Sequence, residues 1–289
     1  MKTIVILGAG QFGRRIAGML NTNELTLLSF GDNNPALWNT CYDHPVLGPV
    51  PVRSIREALA EGPDCALTGV IDPERSFQLQ RQAQELGFRG AFLSLHDFYR
   101  QFDIRSAVLN FLAERIKAGK IAGSVAELGV YKGDLAWKLN ALFPDRSLYL
   151  FDTFEGFDPR DVSCEISGHF SRASEGDFSD TSVSYVLSRL PYPGNAVIRK
   201  GYFPDTAAGL EEQRYALVSL DADLYAPILA GLSYFYPRLS RGGMILLHDY
   251  NNQRFRGAKE AVEAYEAEFG ILPLVPLCDL HGSAVIIKP

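Results

Sequence analysis

The sequence predicts an α/β protein built from two successive series of parallel βα units. Short apolar runs alternate with segments of helical periodicity from one end of the chain to the other. A glycine-containing loop follows the first apolar run of each series, at Gly8 and again at Gly129. Apolar residues make up 47% of the 289 residues, enough for more than one core. We therefore expect two domains, each with a mostly parallel sheet.

The first series occupies residues 1–100 and forms a small domain. Its helix at 73–86 begins with Pro73 and is followed by Gly87, residues that favour the first helical position and the position after a helix end. We predict strands at 3–7, 25–30, 65–71 and 91–95, and helices at 11–20, 54–60 and 73–86.

A connecting helix is predicted within residues 101–122, because apolar residues recur at helical spacing over 103–118 and Gly119 follows. The second domain spans residues 123–289, and its apolar C-terminal segment predicts a hairpin at the sheet edge. Residues 158–180 form a long polar segment, which we expect to cover the active site, with aromatic residues that contact a ligand or anchor the segment. Strands are predicted at 124–128, 148–151, 196–200, 216–220 and 244–247, and helices include 181–190 and 227–236.

Charge and composition exclude several classes of partner. A net charge of -6 without a basic tract argues against nucleic-acid binding, which depends on Lys and Arg against phosphates. No apolar run approaches the roughly 20 residues that cross a membrane, and no secretory signal precedes the first strand. The four cysteines are widely spaced and form no C-x-x-C pair, so we expect buried, reduced thiols and a cytoplasmic protein.

The N-terminal loop Gly8-Ala-Gly10-Gln-Phe-Gly13 follows a strand and opens a helix, and Asp32 comes 19 residues after Gly13. This arrangement is typical of a Rossmann-like dinucleotide site, where glycines admit a pyrophosphate and an acid binds ribose hydroxyls. The alternative is that the glycines only allow the helix and strand to pack closely. Both interpretations stay open at this point.

The second loop differs because an acidic residue, Glu127, precedes its first glycine. A carboxylate there repels a pyrophosphate but accepts S-adenosylmethionine, whose methionine end carries an ammonium and a sulfonium. Asp152 ends the next predicted strand, where it can accept ribose hydroxyls. The alternative to a cofactor site is that one of these two acidic residues caps a helix and the other is a surface residue, each placed at a strand end without a shared function. The cofactor residues that we predict in this loop and after the next strand are Glu127, Gly129, Tyr131, Gly133, Asp152, Thr153 and Phe154.

Two aromatic residues, Tyr202 and Phe203, follow the third strand of the second domain. One of these rings can lie against an adenine, but packing in the core explains them equally well.

A second acidic cluster follows the fourth and fifth strands of the second domain. Asp221 and Asp249 end neighbouring strands, which lie about 4.8 Å apart, so both can bind one ion. Oxygen ligands favour Mg²⁺, which lowers the pKa of a substrate hydroxyl. Asp223 precedes a helix and is predicted to be its N-cap. His248 is predicted as a metal ligand or a general base, with a packing role left open.

The second domain resembles the macrocin O-methyltransferase family over roughly residues 105–270. The resemblance implies the class I S-adenosylmethionine-dependent methyltransferase fold, methylation of a sugar hydroxyl, bound Mg²⁺ and a homo-oligomer, often a dimer. It also implies Asp221 and Asp249 as metal ligands, with Asp221 as the candidate base. His248 departs from the family, which has Asp at that place, and the N-terminal domain is absent from its simple members. The motifs are Val125–Gly133, Asp152–Phe157, Gly201–Thr206, Leu220–Tyr225 and Gly242–Tyr250, of which Asp152–Phe157 is the most specific.

The sequence therefore predicts an S-adenosylmethionine- and Mg²⁺-dependent O-methyltransferase whose substrate is a small sugar-containing molecule. Asp221 or His248 accepts the proton, and Asp221 and Asp249, with His248 as a further candidate, hold the metal. Two alternatives stay open. One is an NAD(P)-linked sugar oxidoreductase that uses the N-terminal loop, and the other is a non-catalytic assembly or sensing protein with a degenerate second half.

Overall fold

The computed structural model describes residues 1–44 and 46–289. The chain divides into two compact units, Met1–Asp103 and Ile104–Pro289, each built around its own sheet. Most strand pairs in both sheets are parallel, which confirms the predicted α/β class. The helix that we predicted as a connection belongs to the second unit.

The first unit has a six-stranded sheet in the order β3-β4-β2-β1-β5-β6. Its β3 and β4 are absent from the sequence prediction, because Pro49 and Pro51 in β4 disfavour a strand assignment. The edge strand is β3, and the two prolines of β4 pair with β3 and precede Val52–Ser54, the residues that pair with β2. The elements are β1 (Lys2–Leu7), α1 (Gln11–Ala17), β2 (Leu25–Asp32), β3 (Cys41–His44), β4 (Gly48–Ser54), α2 (Ile55–Ala60), β5 (Cys65–Thr68), α3 (Pro73–Glu85), β6 (Ala91–Ser94) and α4 (Leu95–Gln101).

Helix ends in this unit follow from local chemistry. Ser54 and Glu57 form a reciprocal capping box at the start of α2, and Asp72 caps α3 directly before Pro73. These side chains satisfy backbone N–H groups that have no partner inside the helix. Helices α2 and α3 therefore begin within a residue of where the sequence predicts them, whereas α4 was not predicted.

The second unit has a seven-stranded sheet in the order β12-β13-β11-β10-β7-β8-β9. The predicted edge hairpin is present, since β12 and β13 are antiparallel and β13 pairs with β11. The elements are α5 (Ile104–Ala118), β7 (Ser124–Leu128), α6 (Ala136–Leu142), β8 (Leu148–Asp152), α7 (Pro159–Ser167), α8 (Val183–Arg189), β9 (Ala196–Lys200), β10 (Tyr215–Leu220), α9 (Tyr225–Arg238), β11 (Leu239–Leu247), α10 (Gly257–Phe269), β12 (Leu274–Pro276) and β13 (Ala284–Ile287).

Helices cover both faces of this second sheet. One core contains Ala126, Leu128 and Leu220 with residues of α9 and α10, and the other contains Val125 and Leu217 with residues of α5, α6 and α8. Side chains alternate between faces along a strand, and all six residues of β10 are buried. With both faces closed, the carboxyl ends of the strands are the part of the sheet left to bind a ligand.

The long segment after β8 contains a helix, α7, that the sequence analysis did not predict. Phe157 and Phe178 lie with their ring centroids 5.1 Å apart, and Phe170 stacks on Tyr225 at 5.0 Å. These contacts favour the anchoring role for the aromatic residues over the ligand-stacking role. That the segment covers the active site stays a prediction.

The cysteines depart from expectation. All four are free thiols, but only Cys65 is buried, whereas Cys41 and Cys278 are exposed. The expectation of four buried thiols is therefore corrected. Cys41 lies on an edge strand and Cys278 in the turn between β12 and β13, positions that lack a covering layer.

Close packing at the first glycine loop is testable. A Cβ added to Gly13 would lie 1.9 Å from the carbonyl oxygen of Gly8, whereas one added to Gly10 would meet no atom of the described residues within 4 Å. We expect Gly13→Ala to lower the free energy of unfolding of the first unit by about 2–4 kcal/mol, because backbone must move. Urea unfolding followed by Trp38 fluorescence in a Trp137→Phe background measures this. Gly10→Ala is the matched control, and equal stability of the two variants would contradict the packing.

Asp161 in α7 makes the stability depend on pH. Burial raises its pKa from 3.8 to about 6, although a hydrogen bond from the Tyr202 hydroxyl opposes the shift. This carboxyl therefore contributes stability that is complete below about pH 4 and is lost as the pH rises through about 6. We expect Asp161→Asn to be neutral near pH 4 and to stabilise by up to about 3 kcal/mol at pH 8, as measured by urea unfolding. Asp205→Asn, at an exposed carboxylate, is the control, and parallel pH profiles of wild type and Asp161→Asn would contradict the prediction.

Candidate functional site

The ends of β7 and β10 meet at the point where the strand order of the second sheet reverses. Leu128 pairs with Leu220, and the Asp221 N–H donates to the Leu128 carbonyl at 2.8 Å. Gly129 has φ +85°, and a Cβ on it would lie 2.1 Å from the Asp221 carbonyl oxygen. The glycine therefore lets the two loops touch, in addition to the closeness to a cofactor that we predicted for it. Ligands of open α/β sheets bind at such a reversal.

Three aspartates converge beside this contact. Carboxylate oxygens of Asp221, Asp223 and Asp249 lie within 4.8 Å of one another. The prediction that Asp223 caps α9 is wrong: the cap position is Leu224, and the Tyr225 N–H instead donates to Oε2 of Glu165, on α7, at 2.9 Å. A carboxylate from a distant helix has taken the capping role. Burial and the neighbouring Asp249 raise the pKa of Asp223 well above its usual range.

His248 bridges two of these aspartates. Its Nδ1 lies 2.9 Å from Oδ1 of Asp221 and 2.8 Å from Oδ2 of Asp249. Burial disfavours the charged imidazole, but the Asp221 carboxylate outweighs this effect and raises the pKa of His248 to about 10. The other oxygen of Asp249 accepts a hydrogen bond from the Asn252 amide at 2.5 Å. The predicted residues Asp221, His248 and Asp249 are thus brought together in one hydrogen-bonded group.

A second histidine, His281, joins the group from the turn between β12 and β13. Its ring centroid lies 5.2 Å from that of His248, and ligand atoms of His248, Asp249 and His281 lie within 4.8 Å of one another. Burial and the neighbouring His248 charge lower the pKa of His281, which favours its neutral form. The sequence analysis did not single out this residue.

Arg105, at the start of α5, supplies a fixed positive charge to the acidic group. Its Nη1 donates to Oδ2 of Asp221 at 2.7 Å and its Nη2 to the Ser219 hydroxyl at 3.1 Å. The guanidinium and the His248 imidazole outweigh burial and hold the pKa of Asp221 far below its usual range. Arg105 lies 116 residues before Asp221, so no local spacing connects the two in the sequence.

Glu127 lies inside this end of the sheet, with 1% of its surface exposed. Burial raises its pKa well above the usual range, and the charge of Arg105 opposes the rise. Its Oε2 is buried without a hydrogen-bond partner in the part of the chain that the structure describes. A buried oxygen in this state suits a ligand that brings a donor.

Asp152 organises the loop after β7. Its Oδ2 accepts hydrogen bonds from the N–H groups of Val130 and Tyr131 at 2.7 and 2.9 Å, and its Oδ1 accepts from Phe154 at 2.6 Å. The expected contact with ribose hydroxyls stays a prediction and would use the remaining lone pairs of these oxygens. Gly133 has φ +75° and packs on Val186. Thr153 donates from its hydroxyl to the Gly156 carbonyl at 2.6 Å, which closes a tight turn.

Backbone strain concentrates at these strand ends. The residues Tyr131, Phe154, Asp223 and Asp249 all have positive φ, between +48° and +58°. Such conformations cost free energy in residues other than glycine and persist where the surroundings enforce them, often at functional sites.

The predicted aromatic contacts divide between core and surface. The Phe203 ring stacks on Phe235 at 5.6 Å and is buried, which favours the core interpretation. Phe154 is also buried, so any contact with a cofactor is left to its backbone. Tyr202 is partly exposed, with the Arg160 guanidinium 3.4 Å from its ring centroid, and a contact between this ring and an adenine stays a prediction.

The N-terminal glycine loop has a comparable construction in the first unit. Oδ2 of Asp32 accepts from the Ala9 N–H at 2.7 Å and Oδ1 from the Asn34 N–H at 2.8 Å. Gly8 has φ +106°, and Gly13 packs against its carbonyl. These contacts account for Gly8 and Gly13 by close packing, whereas the space beside Gly10 is open. Nucleotide binding at this loop stays a prediction.

Comparison with known proteins gives the second unit a family. The model of the family described as Macrocin-O-methyltransferase matches residues 103–286, more than half of the chain. Mycinamicin III 3''-O-methyltransferase of Micromonospora griseorubida is 28% identical over 174 residues, which are 56% of this chain and 67% of that protein. An 8-demethyl-8-(2,3-dimethoxy-alpha-L-rhamnosyl)-tetracenomycin-C 4'-O-methyltransferase of Streptomyces olivaceus is 26% identical over 61% of this chain and 70% of its own.

Solved structures agree on the fold. The calicheamicin methyltransferase CalS11 matches with a TM-score of 0.52 and 20% identity, over 75% of this chain and 86% of its own. No helix in the described ranges is long and apolar enough to cross a membrane. The family match, together with an acidic cluster and a glycine loop that meet at the same sheet reversal, shows that this chain belongs to the macrocin O-methyltransferase family, whose members are S-adenosylmethionine-dependent O-methyltransferases.

Proposed function

We propose that this O-methyltransferase transfers the methyl group of S-adenosylmethionine to a hydroxyl of a sugar, with the help of Mg²⁺. The observation that supports the proposal is the contact between the two loops at Gly129 and Asp221, because it makes the loop that we propose for the methyl donor a neighbour of the acidic group. The names of two relatives, one a 3''-O- and the other a 4'-O-methyltransferase of a rhamnosyl compound, support a sugar-bearing acceptor.

The acidic group fits a magnesium ion by its donor chemistry. Asp221, Asp223 and Asp249 offer three carboxylates within 4.8 Å, and oxygen ligands are those that Mg²⁺ prefers. When bound, the ion would lower the pKa of the acceptor hydroxyl. The Asn252 hydrogen bond to Asp249 and the His248 hydrogen bonds to both Asp221 and Asp249 would hold these ligands in place.

Proton transfer in this proposal falls to the pair Asp221 and His248. The two side chains share a hydrogen bond, and because its raised pKa keeps the His248 imidazole protonated, the ionised Asp221 is the partner that accepts the proton. Arg105 fixes the orientation of Asp221 from the opposite side. The acceptor hydroxyl is therefore deprotonated by a group that is already aligned, and alignment of oxygen, methyl carbon and sulfur supplies much of the rate.

The cofactor would occupy the loop after β7 and the end of β8. Glu127 offers a buried, unpaired oxygen to a donor group of the methionine end. The loop after β7 contains Gly129, Tyr131 and Gly133, and the turn after β8 contains Thr153. Asp152 holds that loop through three backbone hydrogen bonds and stands at the strand end where a ribose is bound in this architecture.

Metal dependence has a direct test. We expect EDTA to abolish methyl transfer and Mg²⁺ to restore it. Asp249→Asn and Asp223→Asn should each weaken Mg²⁺ binding, measured by calorimetry, roughly tenfold or more, since each removes a carboxyl ligand that Asn does not replace. Asp223 does not cap α9, so a loss in Asp223→Asn reports on the metal site and not on the helix end. Asp145→Asn, at an exposed position of the same unit, is the control, and full Mg²⁺ affinity in Asp249→Asn would remove the proposed site.

The acceptor class is tested by transfer of a labelled methyl group to a panel of nucleotide sugars, glycosylated natural products and catechols. We expect product with at least one sugar-bearing acceptor, and loss of more than about 100-fold in Asp221→Asn, because that variant removes a ligand and the proton acceptor. Asp145→Asn should keep wild-type rates. Transfer to catechols together with none to any sugar would exclude the sugar proposal.

A further inference from the structure

Two of the five histidines of the chain meet beside the acidic group. Ligand atoms of His248, Asp249 and His281 lie within 4.8 Å of one another, and the ring centroids of the two histidines are 5.2 Å apart. Asp249 also belongs to the three carboxylates that we propose for Mg²⁺, whereas His281 belongs to this second set alone. The second set, called the imidazole set below, therefore offers two ring nitrogens and one carboxylate oxygen.

The turn between β12 and β13 holds His281 in place. Asp279 is buried, and its two carboxylate oxygens accept hydrogen bonds from the N–H and the hydroxyl of Ser283 at 2.6 and 2.5 Å. The Asn251 N–H donates to the Gly282 carbonyl at 2.9 Å, which ties the turn to the segment that follows β11. Because the turn is fixed by these bonds, little conformational entropy is lost when its imidazole binds a ligand.

The end of β11 holds the other two members of the set. The His248 N–H donates to the Leu220 carbonyl at 2.9 Å, and the Asn252 amide donates to Oδ1 of Asp249 at 2.5 Å. The side chains of His248 and Asp249 are 15% and 3% exposed, and His281 is partly exposed. The set is thus largely buried without being closed, as a site that exchanges an ion with solvent requires.

The spacing of the imidazole set suits a small divalent ion. A tetrahedral ion with bonds of about 2.0 Å to nitrogen and oxygen holds its ligand atoms about 3.3 Å apart. Ligand atoms that already lie within 4.8 Å of one another reach this spacing by small side-chain rotations. Three protein ligands leave a fourth position for water or another small ligand.

The two imidazoles select the class of ion. Mg²⁺ prefers oxygen ligands and keeps several of its waters, whereas Zn²⁺, Co²⁺ and Ni²⁺ bind imidazole nitrogen well. Imidazole binds a metal in its neutral form, which the lowered pKa of His281 favours, and a bound ion displaces the proton from His248. The imidazole set therefore differs from the carboxylate set in the metals that it favours.

We propose that His248, Asp249 and His281 form a site for a divalent transition-metal ion of the Zn²⁺ class, beside the carboxylates proposed for Mg²⁺. The site goes beyond the proposed function, because its ligands need neither a methyl donor nor a sugar. Asp249 belongs to both sets, so an ion at the imidazole set removes a ligand from the magnesium site.

The test separates the two sets by the ligands that they do not share. The full chain is freed of metal with EDTA and dialysed, and Zn²⁺ and Mg²⁺ are titrated separately by calorimetry without donor or acceptor. We expect His281→Gln to weaken Zn²⁺ binding roughly tenfold or more and to change Mg²⁺ binding less than about twofold, because it removes a ligand of the imidazole set alone. The retained Mg²⁺ affinity shows that this variant is folded.

Asp223→Asn gives the reverse pattern, with weaker Mg²⁺ binding and an unchanged affinity for Zn²⁺, and Asp249→Asn weakens the binding of both ions. The visible absorption of bound Co²⁺, which depends on its nitrogen ligands, should change in His281→Gln and stay as in the wild type in Asp223→Asn. His169→Gln, at an exposed histidine of the same unit, is the matched control and should bind both ions like the wild type.

The opposite results are equally specific. An unchanged Zn²⁺ affinity in His281→Gln, or a Zn²⁺ loss in Asp223→Asn as large as that in His281→Gln, would place Zn²⁺ on the carboxylates and overturn the inference. Equal losses of Zn²⁺ and Mg²⁺ binding in His281→Gln would also overturn it, since a structural role of His281 explains both. A wild type that binds Mg²⁺ but not Zn²⁺ would remove this site and leave the proposed function standing. One that binds Zn²⁺ with the expected pattern of losses but not Mg²⁺ would support this site and remove the metal of the proposed function.

Discussion

The approach of Gly129 to the backbone of Asp221 is the constraint on which the site depends. The missing side chain allows the loop after β7 to lie against the end of β10, where any Cβ would overlap a carbonyl oxygen. This contact falls at the reversal of strand order, the place where an open α/β sheet leaves room between its crossover connections. The loop that we propose for the methyl donor and the acidic group are therefore neighbours, because β7 and β10 end side by side.

Electrostatic balance is the second organising feature. Four acidic side chains, Glu127, Asp221, Asp223 and Asp249, are gathered at one end of the sheet, and burying a charge without a partner is costly. The structure meets this cost in two ways. Arg105 and His248 pair with the aspartates that remain ionised, whereas burial shifts Glu127 and Asp223 toward their neutral forms. The positive and negative charges of this group therefore offset one another. Glu127 and Asp223 hold protons that a bound cation can displace.

Much of the fold was predictable because its signals are local. Alternating apolar runs and helical periods located most strands of both sheets, and glycine, proline and capping residues marked helix ends. Strands β3 and β4 escaped prediction because prolines are read as breaks, and Pro49 and Pro51 are compatible with the sheet because they precede the part of β4 that pairs with β2. Helix α7 escaped because its segment is polar, and its buried residues Asp161 and Glu165 are not recognisable as core residues in a sequence.

The amino-acid sequence by itself determined the βα order, the carboxylates at the strand ends and the glycines that allow the loops to turn, since each depends on neighbours a few residues away. Tertiary structure decided which of those groups meet. In the folded structure Asp223 belongs to the acidic group and does not cap α9, because Glu165 takes the capping role. It also brought Arg105 and His281 to the centre from the two ends of the unit. Contacts between residues so far apart in the chain arise only when the sheet is assembled, because pairing of strands, and not spacing along the chain, sets their distance.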